Sequence, residues 1–416
     1  MKDGYLIDTP APGVYRPVDS STGVPFSKFY KPDELPPEIE LSDDVIQAYG
    51  RAMHSLGRLD GFWSEIENPQ AVFGLFVYKE AEQSSQVEGT RVTVSDMYKQ
   101  GEDSKDVREA RNYASALREA AKQLSERGRS REALSNELLQ DLHSELMEQG
   151  RTDEEDPLPG EFRPNYAWID ESTGIGTRIR FVPPKPEIAA SRMGNFEEYM
   201  QSEGAYPDLI DIGILHYQLE TIHPFVDGNG RVGRLLIVLS LMASGILLHP
   251  LFYLSSYIRR NRDEYTDRLL AVSEEGAWND WLLFFLTGIK EQANETFSRA
   301  KLLLHLHKQY QATYADARPS VKALLGAIFT EPVFTVNRAS EMIDMSYPAA
   351  NQAISILETD GVLRERTQKE RYREFQADEV LDVLNKDADE IPSPEALIEE
   401  EEKRLDDITH QGIDIH

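Results

Sequence analysis

The sequence predicts a mainly α-helical protein with one small β-hairpin and a compact unit near its C-terminus. Between Ile212 and Ile222, apolar residues recur at intervals of three, four and three, which places one apolar stripe of a helix toward a core. The segment from Ser104 to Arg127 is rich in alanine, arginine and glutamate and contains no proline, a composition that favours a long helix. A strand-like alternation runs from Arg178 to Val182 and is closed by two prolines.

Composition and charge exclude several classes of protein. The chain has 416 residues, with 44 lysines and arginines against 73 aspartates and glutamates, and a formal net charge of −29. This charge repels phosphate backbones and so disfavours broad binding to nucleic acids. The absence of cysteine excludes disulfides and thiolate metal sites and fits a cytoplasmic location. No secretory signal is expected at the N-terminus, and the longest apolar stretch, Leu235–Leu248, is too short to span a bilayer.

The N-terminal part, residues 1–60, is predicted as a segment that wraps the neighbouring domain, followed by a first helix. That helix begins at Asp43 or Asp44 and ends at Gly57 or Gly61. Further helices are predicted over residues 69–87, 104–127 and 131–149.

The middle of the chain alternates between a hairpin and helices. Two glycines before Arg178 predict the turn of a hairpin. Helix then returns and ends near His223, because the residue before Pro224 disfavours helical dihedrals. A further helix is predicted from about Arg231 to Gly245, and two more extend to about residue 315.

The C-terminal part is predicted as a compact unit over residues 317–377, similar to a winged helix, and an acidic tail over 378–416. From Phe334 to Phe375 the unit has six basic and seven acidic residues. DNA binding is therefore disfavoured, although it stays open, and a protein-interaction or dimerisation role is favoured. From Gln376 to His416 the net charge is −11, which predicts a solvated, partly helical tail.

The stretch from His223 to Arg234 lies in a loop between two predicted helices and contains several residue types that bind anions or transfer protons. Gly228 and Gly230 can adopt positive φ, so successive backbone N–H groups can form a nest for an anion. The helix that starts there adds its positive dipole end. Arg231 and Arg234 lie three residues apart on its first turn and can donate to phosphate oxygens.

Two further side chains of this loop have the properties needed for attack of a hydroxyl on a phosphate ester. Asp227 suits Mg²⁺, which would bridge it to phosphate oxygens, and His223 suits proton removal from an attacking hydroxyl.

A dinucleotide-binding G-x-G-x-x-G motif is the first alternative, but it needs a preceding strand and a later acidic residue that this sequence lacks. A structural metal pair lacks a second histidine, and an inert polar loop would not need three glycines and two arginines.

The loop matches the signature H-x-F-x-[D/E]-G-N-G-R-x-x-R at every specified position, and the chain therefore resembles the Fic (Fido) family. The resemblance extends from about residue 17 to residue 290, with a flap-like segment at residues 181–184. It implies a Fic helical core over residues 61–300 that contains an inhibitory helix, the flap and the catalytic loop. It also implies a protein adenylyltransferase, which moves AMP from ATP to a serine, threonine or tyrosine hydroxyl. The phosphorylating branch of the family lacks the second arginine, whereas the phosphocholine-transferring branch stays open.

The resemblance implies a role for each loop residue. His223 would be the general base, and Asp227 would hold Mg²⁺ between the α- and β-phosphates. Tyr265 resembles an adenine contact, with a core position as the alternative, while Phe225 and His143 are interpreted as structural. The residues implied to bind ATP in the loop are Gly228, Asn229, Gly230, Arg231, Val232, Gly233 and Arg234.

The segment Ser84–Gly89 resembles the family's inhibitory motif [S/T]-x-x-x-E-[G/N]. By that resemblance Ser84 and Glu88 are inhibitory, and Glu88 pairs with Arg234 so that ATP binds with its α-phosphate misaligned. A carboxylate at a helix C-terminus is disfavoured by the helix dipole, which by itself calls for a cationic partner. Reverse removal of AMP by the same glutamate stays open.

The implied partner is a protein with an exposed hydroxyl, or the protein itself, with homodimer formation open and no membrane association expected. An extended target segment is expected to pair beside Arg178–Val182. The alternative function is a nucleotide-sensing transcription regulator that acts through the winged-helix-like unit. The intact catalytic loop favours the enzyme, since a sensor needs no general base.

Overall fold

The computed structural model describes residues 11–64, 70–99, 104–148, 158–173, 176–367 and 372–410. The helices of these residues are α1 (Asp43–Ser64), α2 (Gln70–Val87), α3 (Val94–Tyr98), α4 (Lys105–Glu126), α5 (Asn136–Met147), α6 (Pro186–Gln201), α7 (Asp208–Ile222), α8 (Asn229–Ala243), α9 (Ser255–Arg260), α10 (Arg262–Glu275), α11 (Trp278–Thr313), α12 (Pro319–Ala327), α13 (Val336–Met342), α14 (Tyr347–Thr359), α15 (Asp378–Asn385) and α16 (Pro394–His410). The strands are β1 (Gly13–Pro17), β2 (Lys28–Pro32), β3 (Ile169–Thr173), β4 (Gly176–Phe181), β5 (Val333–Thr335), β6 (Arg364–Glu365) and β7 (Glu374–Gln376).

Several helices are confirmed to within two residues, because their ends are marked by local signals. Ser104 caps α4 by accepting a hydrogen bond from the Val107 N–H at 3.3 Å. Gly89, at a φ of 92°, follows the end of α2. The other predicted helices with matching bounds are α2, α12, α13 and α14.

The predicted end of the first helix at Gly57 or Gly61 is wrong, because α1 continues to Ser64. Both glycines lie on its exposed side, whereas Leu56 and Leu59 are fully buried and α1 packs along α11. Burial of that apolar face outweighs the cost of about 1 kcal/mol for a glycine inside a helix.

Three other helix predictions also need correction. The helix expected from residue 131 begins only at Asn136, because Ser135 caps α5 and a separate 3₁₀ turn covers Arg131–Ala133. Helix α6, which begins at a proline compatible with the first helical turn, was missed. Three helices, not two, follow Pro250, since the chain breaks between α9 and α10 at Asn261.

The N-terminal segment was predicted to wrap the neighbouring domain without regular structure, but it contains the antiparallel hairpin β1–β2. Tyr30 of β2 is fully buried, and its N–H donates to the Val182 carbonyl at 2.8 Å. The segment therefore lies beside the predicted flap. It is held there by this backbone hydrogen bond and by burial of the Tyr30 side chain.

The predicted hairpin is present as strands β3 and β4, with Glu171 opposite Arg178. Strand β4 begins two residues before the predicted strand and ends one residue before its predicted end. Gly174, which was predicted in the turn, lies outside the described residues. The hairpin follows α5 and precedes α6, next to the loop between α7 and α8.

The core around that loop is built from α7 and α8, which pack against each other. Almost every residue of both helices is buried, and the buried set includes polar side chains such as Asp211, His216 and Arg234. Helix α4 contacts α2, α5 and α8, and α2 also contacts α9. None of the described helices is both long and apolar enough to cross a membrane.

The C-terminal unit consists of α12, α13 and α14 with a small sheet of order β5-β7-β6. Its likeness to a winged helix and the domain division as a whole stay predictions. The prediction of a solvated tail from residue 378 is wrong for α15, which buries Val380, Leu381 and Leu384. Arg299 of α11 also donates to the carbonyls of Val383, Leu384 and Lys386, so α15 is packed on the helical core.

Candidate active site

The loop between α7 and α8 is held by side chains that bind its backbone. Its first residue, His223, has a φ of 51°, a left-handed conformation that is unusual for a residue other than glycine. The buried Arg163 donates from Nε to the His223 carbonyl at 2.7 Å and from Nη2 to the Ile222 carbonyl at 3.3 Å. The Asn229 amide exchanges two hydrogen bonds with the Phe225 backbone. The loop backbone is therefore held by side chains of the protein itself.

His143 is a structural residue, as interpreted from the sequence. Its Nδ1 accepts from the Gly160 N–H at 2.9 Å, so its Nε2–H donates to the Asp227 carbonyl at 3.0 Å. Its ring stacks on Phe225 with 4.0 Å between the centroids. Burial lowers the pKa of His143 to about 4, so the ring is neutral at physiological pH.

The two glycines of the expected anion nest have different conformations. Gly228 has a φ of 77°, and a Cβ there would lie 2.3 Å from the Met147 side chain. Gly230, contrary to the expectation, is helical, since it belongs to the first turn of α8. A Cβ at Gly230 would lie 2.7 Å from Glu88 Oε1 and 2.9 Å from Arg234 Nη1, so its missing side chain leaves room for that ion pair.

The predicted pair of Glu88 and Arg234 is present. Arg234 Nη2 donates to Glu88 Oε1 at 2.7 Å, and its Nε and Nη2 also donate to the Ser84 hydroxyl and carbonyl at 2.9 and 3.2 Å. The Arg234 side chain is 2% exposed and that of Glu88 is 41% exposed. Partial burial acts to raise the pKa of Glu88, but the charge of Arg234 lowers it overall. Both groups are therefore charged at neutral pH.

The second loop arginine has a different partner. Arg231 Nη1 donates to Glu109 Oε2 of α4 at 3.1 Å, and the Arg231 side chain is 5% exposed. The two arginines are thus held by different helices and do not converge on one open surface, as their spacing had suggested.

A cavity of about 200 Å³ opens beside the loop and lies between α2, the β3–β4 hairpin, α7, α8 and α10. Of the predicted residues, Glu88, His223, Gly230, Arg234 and Tyr265 line it. The other predicted residues do not line this cavity, and they are Ser84, Asp227, Gly228, Asn229, Arg231, Val232 and Gly233. Val232 is fully buried in the core, and the Asn229 side chain is engaged by the loop backbone.

His223 has the tautomer of a proton acceptor. Its Nδ1 lies 3.3 Å from the Glu220 carbonyl, which can only accept, so the proton of the neutral ring is on Nδ1 and the lone pair is on Nε2. Burial and the nearby charge of Arg163 lower the pKa of His223 to about 4. The imidazole is therefore neutral at physiological pH, as a general base requires.

Tyr265 has the core position that was one of its two predicted alternatives, and its role as an adenine contact stays a prediction. It is 6% exposed, yet it lines the cavity. Its hydroxyl donates to His216 Nε2 at 2.8 Å, and the His216 Nδ1–H donates to the Gly233 carbonyl at 3.2 Å. This chain of hydrogen bonds fixes Tyr265 to the first turn of α8.

The residues present around Asp227 are compatible with a loosely held divalent cation. The described residues contain no cluster of three histidine, aspartate or glutamate side chains that could enclose a metal. Asp227 Oδ1 accepts from the Gly228 N–H at 2.7 Å. Mg²⁺ is commonly held by one or two carboxylates together with substrate phosphates, so a single carboxylate at a loop that is expected to bind phosphate fits it.

Sequence reasoning missed three polar residues of this region, namely His216, Glu220 and Glu109. Glu220 and His216 precede His223 on α7 at distances of about one and two helical turns, a spacing that could have placed them on the same side of the helix. Glu109 meets Arg231 across 122 residues of chain, so no local pattern could have found it.

Comparisons with known proteins agree with these features. Residues 46–122 match the Fic/DOC family N-terminal region, and residues 133–241 match the Fic/DOC family. A 93-residue segment is 38% identical to the protein adenylyltransferase Fic of Drosophila willistoni and covers 22% of this chain and 17% of that protein. A 98-residue segment is 34% identical to a probable protein adenylyltransferase of Aquifex aeolicus and covers 24% of this chain and 28% of that protein. The chain thus spans less than a third of the length of either relative.

A solved structure supports the fold. A Fic family protein from Desulfovibrio desulfuricans G20 has a TM-score of 0.52 and 18% identity, over 82% of this chain and 98% of that one. At this identity the likeness is one of fold alone. The mainly α-helical fold with small hairpins that the sequence predicted is confirmed.

Proposed function

Because the chain carries both the N-terminal region and the domain of the Fic/DOC family, we propose that it is a protein adenylyltransferase. It would move AMP from ATP to a serine, threonine or tyrosine hydroxyl of a protein. The observation that carries this proposal is that His223, Gly230 and Arg234 line one cavity at the start of α8. A proton acceptor and a phosphate-binding helix start are thereby brought to the same space.

The proposed reaction needs one proton acceptor and one electrostatic clamp. The oxygen of the target hydroxyl attacks the α-phosphorus of ATP, the bond from that phosphorus to the bridging oxygen breaks, and pyrophosphate leaves. His223 Nε2 takes the proton of the hydroxyl. Backbone N–H groups from Gly228 to Gly230 and the start of α8 would face the phosphates, and Arg234 would hold the terminal phosphate. Mg²⁺ held by Asp227 would neutralise charge on the leaving pyrophosphate.

Glu88 and Ser84 are inhibitory in this proposal. Three hydrogen bonds occupy Nε and Nη2 of Arg234, and the Glu88 carboxylate neutralises its charge, so the guanidinium has only Nη1 left to donate and would hold a terminal phosphate weakly. A nucleotide bound without that contact would have its α-phosphorus out of line with the hydroxyl, and such misplacement costs about 100-fold in rate. The same carboxylate could align a water for removal of AMP. Incubation of an AMP-modified target with wild type and with Glu88→Ala separates the two roles.

The proposed function is tested by incubating the protein in parallel with ATP labelled at the α-phosphate and ATP labelled at the γ-phosphate. We expect protein-bound label only from the α-labelled ATP, with release of pyrophosphate. Label from the γ-position would indicate phosphorylation and contradict the proposal. A CDP-choline arm of the same assay distinguishes phosphocholine transfer. Because Glu88 is proposed to inhibit the wild-type protein, the assay is run with wild type and with Glu88→Gly.

Substitution of the proposed metal ligand gives an independent prediction. In the Glu88→Gly background, Asp227→Asn is expected to lower AMP transfer by about 100-fold or more, because the loss of a metal's charge stabilisation is worth several kcal/mol. The measurement is a titration of the transfer rate with Mg²⁺ at fixed ATP. Asp263→Asn, which removes an exposed carboxylate outside the loop, is the matched control and should leave the titration unchanged. An unaltered Mg²⁺ dependence in Asp227→Asn would exclude Asp227 as the ligand.

The proposed partner is a protein with an accessible hydroxyl, and the protein itself is a candidate. The hairpin β3–β4 is a two-stranded sheet, so a target segment could pair along an edge beside the cavity. Homodimer formation and a cytoplasmic location belong to the proposal as well.

A further inference from the structure

A second carboxyl group lies in the cavity beside Glu88. Glu220, on α7, is one helical turn before His223, and its side chain lines the cavity. Its Oε1 is shielded from solvent, and no described residue donates a hydrogen bond to it. A buried carboxylate oxygen without a donor is costly, so the arrangement calls for an explanation.

Space for this carboxyl group is provided by Gly233 of α8. A Cβ at Gly233 would lie 2.6 Å from Glu220 Oε1 and 3.2 Å from the His216 ring. Any side chain at position 233 would therefore displace Glu220. The carboxyl group lies against the first turns of α8, next to the residue that precedes Arg234 in the chain.

The charged groups around Glu220 act in opposite directions. Arg234 on α8 attracts its charge and Glu88 on α2 repels it, while burial disfavours it most, and together they raise the pKa of Glu220 to about 7. Tyr265 on α10 is uncharged, since burial raises its pKa well above its ordinary value. On α7, burial lowers the pKa of His216 to about 3 and that of His223 to about 4, so both rings are neutral. Two further cations that line the cavity are Arg180 and Arg262.

At the start of α8, one guanidinium, that of Arg234, faces two carboxyl groups, of which Glu220 has an oxygen shielded from water. A single arginine can neutralise one carboxylate, and Glu88 already forms the hydrogen-bonded pair with it. A second negative charge at Glu220 would then be buried without a donor, which the surroundings disfavour. If Glu88 withdraws, the repulsion disappears and Arg234 favours a charged Glu220.

We propose that Glu220 is a positioning residue for Arg234: it binds a proton while an anion occupies Arg234 and releases that proton when Arg234 has no anion. The anion is Glu88 in the braked protein and the terminal phosphate of ATP in the active one, so the inference rests on the proposed function. An ionised Glu220 then balances the charge of the guanidinium across the cavity that both residues line. Binding of a terminal phosphate near neutral pH is accordingly accompanied by proton uptake.

The test uses the Glu88→Gly protein and two ligands that cannot be cleaved at the α-phosphate, α,β-methylene-ATP and α,β-methylene-ADP. Calorimetric titrations near pH 7.5, in two buffers with different heats of ionisation, measure the protons bound with each ligand. We expect an uptake of about half a proton or more for the triphosphate, well above that for the diphosphate. In Glu88→Gly/Glu220→Gln the excess is expected to vanish. The ligand's own titration cancels, because both proteins bind the same ligand.

Glu80→Gln in the Glu88→Gly background is the matched control. Burial raises the pKa of Glu80 to about 7 as well, and its Oε2 also has no donor among the described residues, but its Oε1 accepts from Tyr113 and Ser255 and it does not line this cavity. Loss of proton uptake in Glu80→Gln, or its persistence in Glu220→Gln, would overturn the inference. Infrared difference spectra of the Glu88→Gly protein give a second measurement that needs no substitution of Glu220. Triphosphate binding should produce a protonated-carboxyl band, and absence of that band would contradict the inference. Failure of the Glu88→Gly protein to bind the triphosphate at all would refute the proposed function as well.

Discussion

Replacement of Glu88 by glycine is expected to raise AMP transfer by about 100-fold, because the substitution frees Arg234 to position the terminal phosphate. The wild-type guanidinium makes three hydrogen bonds, one to the Glu88 carboxylate and two to Ser84. Loss of the carboxylate removes the charged partner and leaves the neutral contacts. The measurement is the initial rate of incorporation of α-labelled AMP into the protein itself and into added proteins.

Gln86→Gly is the matched control for the Glu88 substitution. It also places a glycine in the last turn of α2, but the Gln86 side chain donates to the Val92 carbonyl and not to Arg234. Its transfer rate should stay at the wild-type level. Ser84→Ala, which removes one neutral contact of Arg234, should give a rise of only a few-fold. If Glu88→Gly binds nucleotide but transfers AMP at the wild-type rate, Glu88 does not inhibit transfer.

Replacement of His223 by alanine is expected to lower transfer in the Glu88→Gly background by about 10²–10⁴-fold, the usual contribution of a general base. Binding of ATP, measured by calorimetry, should persist, because phosphate contacts come from the start of α8 and from Arg234. His249→Ala, which removes an imidazole from the loop after α8, is the control. A His223→Ala protein that transfers AMP at the parental rate would contradict the proposed chemistry.

The low pKa of His223 also sets the acid limb of the reaction. The imidazole of the ligand-free protein is protonated only as the pH falls toward about 4, because burial and Arg163 disfavour its charge. We therefore expect that protonation of His223 causes no fall in the kcat/KM of Glu88→Gly between pH 8 and pH 6. An inactivating protonation with a midpoint near the ordinary histidine value of about 6.5 would indicate that the ring is solvated.

The catalytic loop could be predicted from the sequence because its determinants are local. Helix α7 ends at Ile222, two residues before Pro224, Gly228 takes the positive φ at the start of α8, and the loop residues are contiguous. The pair of Glu88 and Arg234 spans 146 residues, and only a family resemblance could suggest it. Its geometry, including the contribution of Ser84, needed the structure.

Other parts of the fold could not be predicted, because tertiary contacts decide them. The hairpin β1–β2 joins two short segments through a ten-residue connection, and its position depends on contacts of Tyr30 with the distant Val182. Helix α1 passes through two glycines because its opposite face is buried against α11. Arg231 was expected beside Arg234, but the acidic side chain of Glu109, far away in sequence, holds it elsewhere. In each case, burial or a remote charge outweighs the local preference.

The position of Glu88 immediately after the last residue of α2 limits how much of the protein must move for the proposed activation. The Glu88 and Gly89 N–H groups donate to the Ser85 and Gln86 carbonyls, and Gly89 then reverses the chain. Helix ends fray at little cost, whereas displacement of all of α2 would break its contacts with α4 and α9. Unwinding of a single terminal turn is thus enough to carry the carboxylate away. Such a motion takes microseconds or less, far faster than a typical turnover, so relief of the proposed inhibition would need only a weak and transient signal.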